Sequence, residues 1–463
     1  MPHSKKKDFS VENHSVVVVG AAQSGIAAAE LLVARGASVT LTDLRARTDL
    51  PDSLRHDKVQ LEFGEHRMET FVNADLIVMS PGVPPIQAVI QAARAAGVPV
   101  ISEIELASRW MDGRIVAVTG TKGKSTTTVL LGQILAAAGF RTVVGGNIGP
   151  ALSTQVGKSS PDVLHIVEVS SFQLELTDQF HPWIAVLLNL TPDHLDRHET
   201  TEAYAAAKGR VFMNQEASDW VVVNADDANA MSLACGSQGQ QRPFSFNATI
   251  DNGVSVEGGT IVWNTTPSPA ALVPVQAVQL TGRHLLADVL AAVTVATIMD
   301  VSADIMTQVI SEFKGLEHVL ESVAEINEIR FVNDSKATNV DAAMKAIETM
   351  DVPSVVLLGG RLKAGDLREL RTAVADHAVA VIAMGEAQST IRQALADVVP
   401  VSDARDMGEA VRSAFALAPP GGAVLLSPAC ASFDMYQNYA DRGRRFKEEV
   451  GRLERDMRGN REQ

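Results

Sequence analysis

The sequence predicts an α/β protein of three domains. Its 463 residues exceed what one ordinary core organises, short continuous apolar runs alternate with helix-compatible stretches, and one such run leads straight into a glycine-lysine loop.

The first expected domain spans 1–103. It begins with a tail bearing Lys5, Lys6 and Lys7, read as solvated, since the apolar run 16–19 is too short for a signal core and is followed by glycine. Val16, Val17, Val18 and Val19 form a buried strand. It turns through Gly20, Ala21, Ala22, Gln23, Ser24 and Gly25 into an alanine-rich helix to about residue 35. A second strand over 38–42 ends at Asp43, the place from which a dinucleotide fold binds ribose hydroxyls. Ala22 stands where the second glycine of the redox fingerprint belongs, so a Rossmann-like domain is predicted without a redox dinucleotide. Buried strands over 76–79 and 98–101 continue the parallel pattern.

The second domain, 104–315, is read as a P-loop-type ATPase domain. Strand 115–119 runs into Gly120, Thr121, Lys122, Gly123, Lys124, Ser125 and Thr126. Backbone N–H groups of such a loop wrap phosphate, Lys124 adds a point charge, and Ser125 or Thr126 can hold Mg²⁺. Only two residues separate Gly120 from Gly123, so the loop is a shortened variant. A strand-to-helix turn with an incidental lysine is the bland alternative. The agreement of strand, loop and following helix favours a nucleoside triphosphate.

Strands are expected over 164–169 and 184–190, short antiparallel strands or loops over 235–268, and a helix over 285–299 that is apolar on most faces. Glu168 ends its strand beside the phosphate loop, where it reaches Mg²⁺ or merely faces solvent. The segment Asn189-Leu190-Thr191-Pro192-Asp193-His194-Leu195-Asp196-Arg197-His198 carries histidines and aspartates for a metal site, or is a surface loop. Tyr204 and Lys208 lie one helical turn apart. Alone, Lys208 reads as a solvated charge.

The third domain, 316–463, is a second Rossmann-like unit with strands over 329–332, 355–358, 380–383 and 423–426. Loops 333–339, 359–363 and 426–434 carry lysine, arginine and hydroxyl groups after strands. Each alone could be a capping loop. Three at one sheet end, where open α/β sheets bind ligands, suit an anionic substrate.

A net charge of −15 argues against nucleic acid as a partner. Two cysteines, Cys235 and Cys430, cannot staple a chain of this size, which points to a reducing cytoplasm. No apolar run has membrane-spanning length, so no membrane partner is expected.

These motifs resemble the Mur ligases of bacterial cell-wall synthesis, with the resemblance running from Val16 to Phe446. The loop TGTKGKST at 119–126 is shared with folylpolyglutamate ligases. GNIG at 146–149, EVSSFQLE at 168–175, NLTPDHLDRH at 189–198, NDSKATN at 333–339 and SPACASFD at 427–434 are narrower, and SSFQLE with SPACAS looks characteristic of the D-glutamate-adding branch. The resemblance implies an ATP-dependent ligase that joins D-glutamate to UDP-N-acetylmuramoyl-L-alanine through an acyl phosphate, acting as a cytoplasmic monomer. ATP and two Mg²⁺ sites are implied as cofactors, with Mn²⁺ an alternative.

Carried onto this chain, catalysis falls to Lys124, Glu168, His194 and Lys208, the last similar in position to the family's carbamylated lysine. ATP would be held by Gly120, Thr121, Lys122, Gly123, Lys124, Ser125, Thr126 and Arg283. The metal ligands would be Ser125, Thr126, Glu168, His194 and Lys208. The uridine substrate would meet Ala22, Gln23, Ser24, Asp43, Leu44, Arg45, Ser80, Pro81, Gly82, Asn147 and Gln173. D-Glutamate would meet Lys336, Thr338, Lys363, Ser432, Phe433 and Tyr439. The sequence departs from the family pattern at Arg361, where an aspartate is usual, and at Leu285 and Asp288, where asparagines are. A folylpolyglutamate-type ligase is the alternative enzyme, which should lack the domain ahead of the phosphate loop. A non-catalytic nucleotide-binding regulatory protein is the alternative outside enzymes, and the joint presence of Glu168, His194, Lys208 and Lys336 argues against it.

Overall fold

The protein is described by a computed structural model covering residues 9–45, 50–55, 57–265, 268–279, 283–362 and 365–459. It divides into two compact units, Met1–Phe313 and Lys314–Gln463. Among the described residues the first unit holds two sheets and the second holds one.

The first sheet has the order Val59–Phe63, Ser38–Asp43, Ser15–Val19, Leu76–Met79, Val100–Ser102, all parallel. Its central valines are wholly buried because helices cover both faces. The chain order reverses between Ser15–Val19 and Leu76–Met79, so the carboxyl ends of these strands frame a crevice. Gly25 allows the helix Gln23–Ala34 to close on the first strand: a Cβ there would lie 1.7 Å from the Gly20 carbonyl oxygen.

The second sheet has nine strands, ordered Ala270–Pro274, Thr260–Trp263, Val254–Glu257, Gln240–Ser245, Trp220–Asn224, Ile184–Leu187, Arg114–Thr119, Val163–Glu168, Arg141–Gly146. The phosphate loop follows Arg114–Thr119, a central strand flanked by Val163–Glu168 and Ile184–Leu187. Within the stretch expected to be antiparallel, Gln240–Ser245 instead joins Trp220–Asn224 in parallel, and Val254–Glu257 joins it likewise. Antiparallel pairing begins only at Thr260–Trp263. The two sheets are tied together by buried Glu105, whose carboxylate accepts N–H bonds from Asp178, Gln179 and Phe180 at 2.8–3.1 Å and one from Arg109 Nε at 2.8 Å.

In the second unit the sheet order is Glu321–Ile326, Ile329–Asn333, Ala423–Leu426, Ser354–Gly359, Ala378–Met384, Val401–Asp403, with only the first pair antiparallel. Side chains alternate between two cores: Val356, Leu358 and Val381 face one, Val355, Leu357 and Ile382 the other. The three strands preceding the anion-friendly loops are immediate neighbours, so those loops emerge together.

Candidate functional site

The phosphate loop is held open by backbone geometry. Gly123 caps the helix Lys124–Ala137 at φ 85°, a left-handed conformation, and a Cβ there would lie 1.9 Å from Asp288 Oδ1. Asn189 fastens the loop from the neighbouring strand: its Oδ1 accepts the N–H groups of Thr121 and Lys122 at 3.0 and 2.8 Å, and its Nδ2 donates to the Lys122 carbonyl at 3.0 Å. Lys124 Nζ donates to the carbonyls of Gly120 and Thr121 at 3.1 and 2.9 Å. Its charge therefore lies within the loop, where phosphate oxygens would replace carbonyls.

Glu168 does not simply face solvent. Its two oxygens accept from Ser125 Oγ at 2.6 Å and from Asn147 Nδ2 at 2.7 Å, and it is buried. Thr126 lies buried on the first turn of the same helix. Lys208 is 1 % exposed. Its Nζ donates to the Gly120 carbonyl at 2.7 Å and lies 4.8 Å above the Tyr204 ring, while the Tyr204 hydroxyl meets Thr121 Oγ1 at 3.0 Å. Burial foremost, and the charge of Lys124 after it, hold the Lys208 amine well below its ordinary pKa. The bland reading of Lys208 as a solvated charge thus fails on position.

His194 takes a positive φ of 54° and is half exposed, its ring 4.8 Å from that of Phe172. Among the described residues, no three histidine, cysteine, aspartate or glutamate side chains cluster as a metal site. Around the phosphate loop the donor set is one carboxylate, two hydroxyls and a lysine able to lose its charge. That set fits Mg²⁺, which uses few protein carboxylates and completes its shell with phosphate oxygens and water.

The crevice of the first sheet opens into a cavity of about 550 Å³ lined by Ala22, Gln23, Ser24, Asp43, Leu44, Arg45, Ser80, Pro81 and Gly82. The family resemblance groups the same nine around one ligand. The lining also includes His66, Val83, Pro84 and Gln87, which sequence reasoning missed. His66 Nδ1 lies 2.8 Å from Thr42 Oγ1, and burial lowers its pKa. A histidine just beyond an edge strand was the available signal. Asp43 accepts from Arg45 Nη2 at 2.7 Å and Ala21 N at 2.9 Å, and the Arg45 guanidinium drives its carboxyl well below the usual range.

Asn147 and Gln173 lie outside that cavity lining. Asn147 belongs to the Glu168 cluster, while Gln173 closes a capping box with Ser170. Gln173 Nε2 is buried and finds no partner among the described residues. Arg283 begins the helix Arg283–Ile298, and its side chain lies outside the described residues. Asp288, on that helix, is buried against Gly123, and burial raises its pKa to about 8. Its contact with the loop was not legible in the sequence.

In the second unit Lys336, Thr338, Ser432 and Phe433 lie on loops after two neighbouring strands, and Tyr439 starts the helix Tyr439–Gly459. Phe433 is 62 % exposed. Lys363 lies outside the described residues. Buried Arg442 laces the loops together, donating to Ser335 Oγ and O at 3.0 and 2.9 Å, Cys430 O at 3.0 Å and Gly359 O at 3.2 Å. Arg361, where an acid was expected, makes a two-pronged pair with Glu386 at 2.9 and 2.7 Å.

Comparison with known proteins gives three family matches along the chain: the Mur ligase MurD-like N-terminal domain over residues 14–102, the Mur ligase middle domain over 118–296, and the Mur ligase glutamate ligase domain over 320–430. The chain is 43 % identical over 448 residues to the UDP-N-acetylmuramoylalanine–D-glutamate ligase of Acidobacterium capsulatum, covering 96 % of this chain and 97 % of that one. It is 42 % identical to the enzyme of the same name from Salinibacter ruber, covering 96 % and 99 %. Among solved structures, the UDP-N-acetylmuramate-alanine ligase of Thermotoga maritima matches with a TM-score of 0.55 at 18 % identity, covering 95 % of this chain and all of that one. A pseudomurein peptide ligase from Methanothermus fervidus matches with 0.54 at 16 %, with the same coverage. At such identities these structures speak for the fold alone.

Proposed function

The chain belongs to the Mur ligase family, and from that premise we propose that it joins D-glutamate to UDP-N-acetylmuramoyl-L-alanine in an ATP-driven reaction of peptidoglycan precursor synthesis in the cytoplasm. The observation that carries this reading is the convergence on one phosphate loop of the Ser125–Glu168–Asn147 cluster and the buried amine of Lys208. No helix among the described residues is long and apolar enough to cross a membrane.

In this reading residues 1–103 hold the uridine nucleotide in the cavity beside Asp43 and Ser80, 104–315 hold ATP, and 316–463 hold D-glutamate. The substrate carboxylate attacks the γ-phosphate, giving an acyl phosphate and ADP. The D-glutamate amine then attacks the activated carbonyl, and phosphate leaves. Lys124 neutralises charge gathering on the transferred phosphoryl group. Glu168, Ser125, Thr126, His194 and Lys208 would hold two Mg²⁺ ions, or Mn²⁺, whose role when bound is to screen phosphate charge and orient the reacting oxygens. The lowered pKa of Lys208 raises the share of uncharged amine, the form that takes up CO₂, and the carbamate so formed would offer oxygen donors where the amine offers none. Lys336, Thr338, Ser432 and Lys363 offer two cations and two hydroxyls, a set matched to a dicarboxylate. Phe433 and Tyr439 would flank it.

The test supplies ATP, Mg²⁺, UDP-N-acetylmuramoyl-L-alanine and D-glutamate and measures phosphate release. Release should require D-glutamate. Release indifferent to it, or equal with L-glutamate, refutes the assignment.

A further inference from the structure

Arg197 has no role in the reaction above, yet it stands where the two nucleotide-handling regions of the first unit touch. It lies on the short helix Leu195–His198, three residues beyond His194, with its side chain only 10 % exposed. One terminal nitrogen donates to the Pro81 carbonyl at 2.9 Å, and the other donates to the Glu175 carboxylate. The guanidinium carbon lies 4.3 Å over the Phe172 ring. Its Nε is buried and has no partner among the described residues, so the two terminal nitrogens and the ring set its plane.

Each contact leads to a different part of the site. Pro81 lines the cavity assigned to the uridine nucleotide. The Phe172 ring meets His194 at 4.8 Å and His198 at 5.4 Å between centroids. The His198 ring lies 5.5 Å from that of Tyr204, which touches both Thr121 of the phosphate loop and Lys208. A continuous line of contacts thus runs from the cavity rim to the phosphate loop, with Arg197 as its first link. A planar fork that stacks on a ring while bonding two acceptors transmits orientation as a flexible point charge cannot.

We propose that Arg197 is a positioning residue that sets the 80–82 rim and the His194 loop together, so that occupancy of the uridine cavity strengthens nucleotide binding at the phosphate loop. The proposal rests on the assignment of those two sites made above. A ligand pressing on Ser80–Gly82 fixes the Pro81 carbonyl, hence the plane of Arg197, hence Phe172 and the two histidine rings against it, His198 stacked and His194 tilted. By reciprocity the same gain appears in the affinity for either ligand.

Calorimetric titration of the full chain with UDP, with and without saturating Mg²⁺ and a non-hydrolysable ATP analogue, measures this gain. In the wild type both ligands bind, and the analogue tightens UDP by about fivefold or more. Arg197→Gln should bring that ratio to one, and Arg197→Lys, which cannot hold both acceptors, should recover only part of it. Phe172→Leu keeps both Arg197 bonds and cuts the stack, so UDP binding alone should stay at the wild-type level while the ratio falls to one. Failure of the wild type to bind either ligand would count against the ligase assignment. Two binding events with a ratio of one in the wild type, or an undiminished ratio in Arg197→Gln, overturn the inference alone. Should Arg197→Gln not fold, Phe172→Leu decides: a wild-type ratio there overturns it too.

Discussion

Asp288→Asn should change the pH dependence of stability more than its level at any one pH. The carboxyl is buried against Gly123, and its Oδ2 has no partner among the described residues. Burial raises its pKa from 3.8 to about 8, with the charge of Lys124 only partly opposing the rise. The folded state therefore keeps a proton that the unfolded chain releases above pH 4. Stability associated with that proton is full below pH 4 and drains as pH rises to about 8, at roughly 1.4 kcal/mol per unit. The shift of about four units corresponds to an upper value on the order of 5–6 kcal/mol over the whole interval, about half of it between pH 6 and 8.

Asparagine has no proton to lose. Its amide leaves a buried donor where the acid had a hydroxyl, an offset of roughly 1–3 kcal/mol that does not vary with pH. The variant should thus gain on the wild type by about 3 kcal/mol from pH 6 to 8, then run parallel above pH 8. Urea unfolding followed by tryptophan fluorescence is the suitable assay, since Trp110, Trp183, Trp220 and Trp263 all lie in the first unit. Asp334, which burial raises to about 7 in the second unit, is then silent. Parallel curves for the two proteins from pH 6 to 9 would refute the reasoning.

Gly123→Ala places a methyl group in a left-handed position 1.9 Å from Asp288 Oδ1, so Mg²⁺-ATP affinity should fall at least tenfold by calorimetry, and Asp288→Ala in the same chain should recover part of it. Lys208→Ala should abolish phosphate release, and formate or acetate should partly restore it by supplying the missing carboxylate; an unimpaired variant removes Lys208 from the site.

Legibility varied with how local each cause was. The strands Ser15–Val19, Leu76–Met79 and Ala423–Leu426 were readable because both faces are covered and, Ser15 apart, every side chain is apolar. Val59–Phe63 carries no continuous run; its alternation of Gln60 and Glu62 with apolar residues is the pattern of an edge strand, one that a reading by apolar runs passes over. The stretch 235–268 was rich in turn residues, which announce breaks but not strand direction; the parallel course of Gln240–Ser245 depends on the helix Ala228–Ala234 that carries the chain back across the sheet.

The site divides in the same way. Nine residues lining the cavity beside Asp43 and Ser80 were brought together by the family resemblance, on three segments that each follow the carboxyl end of a strand. The burial of Lys208, the grip of Asn189 on the phosphate loop, the reach of Arg197 to Pro81 and the lacing of three loops by Arg442 were invisible. Each joins residues separated by tens or hundreds of positions.

By itself the sequence determined the kinds of chemistry available: a loop that wraps phosphate, an acid at a strand end, cations and hydroxyls after strands. Those follow from local backbone geometry and side-chain type, which neighbours in the chain settle between them. Only the tertiary structure decided which groups are charged and which are joined. Removal from water by distant elements sets the ionisation of Lys208 and Asp288, and a bond such as Arg197 to Pro81 exists only once two separately folded loops have been brought within reach.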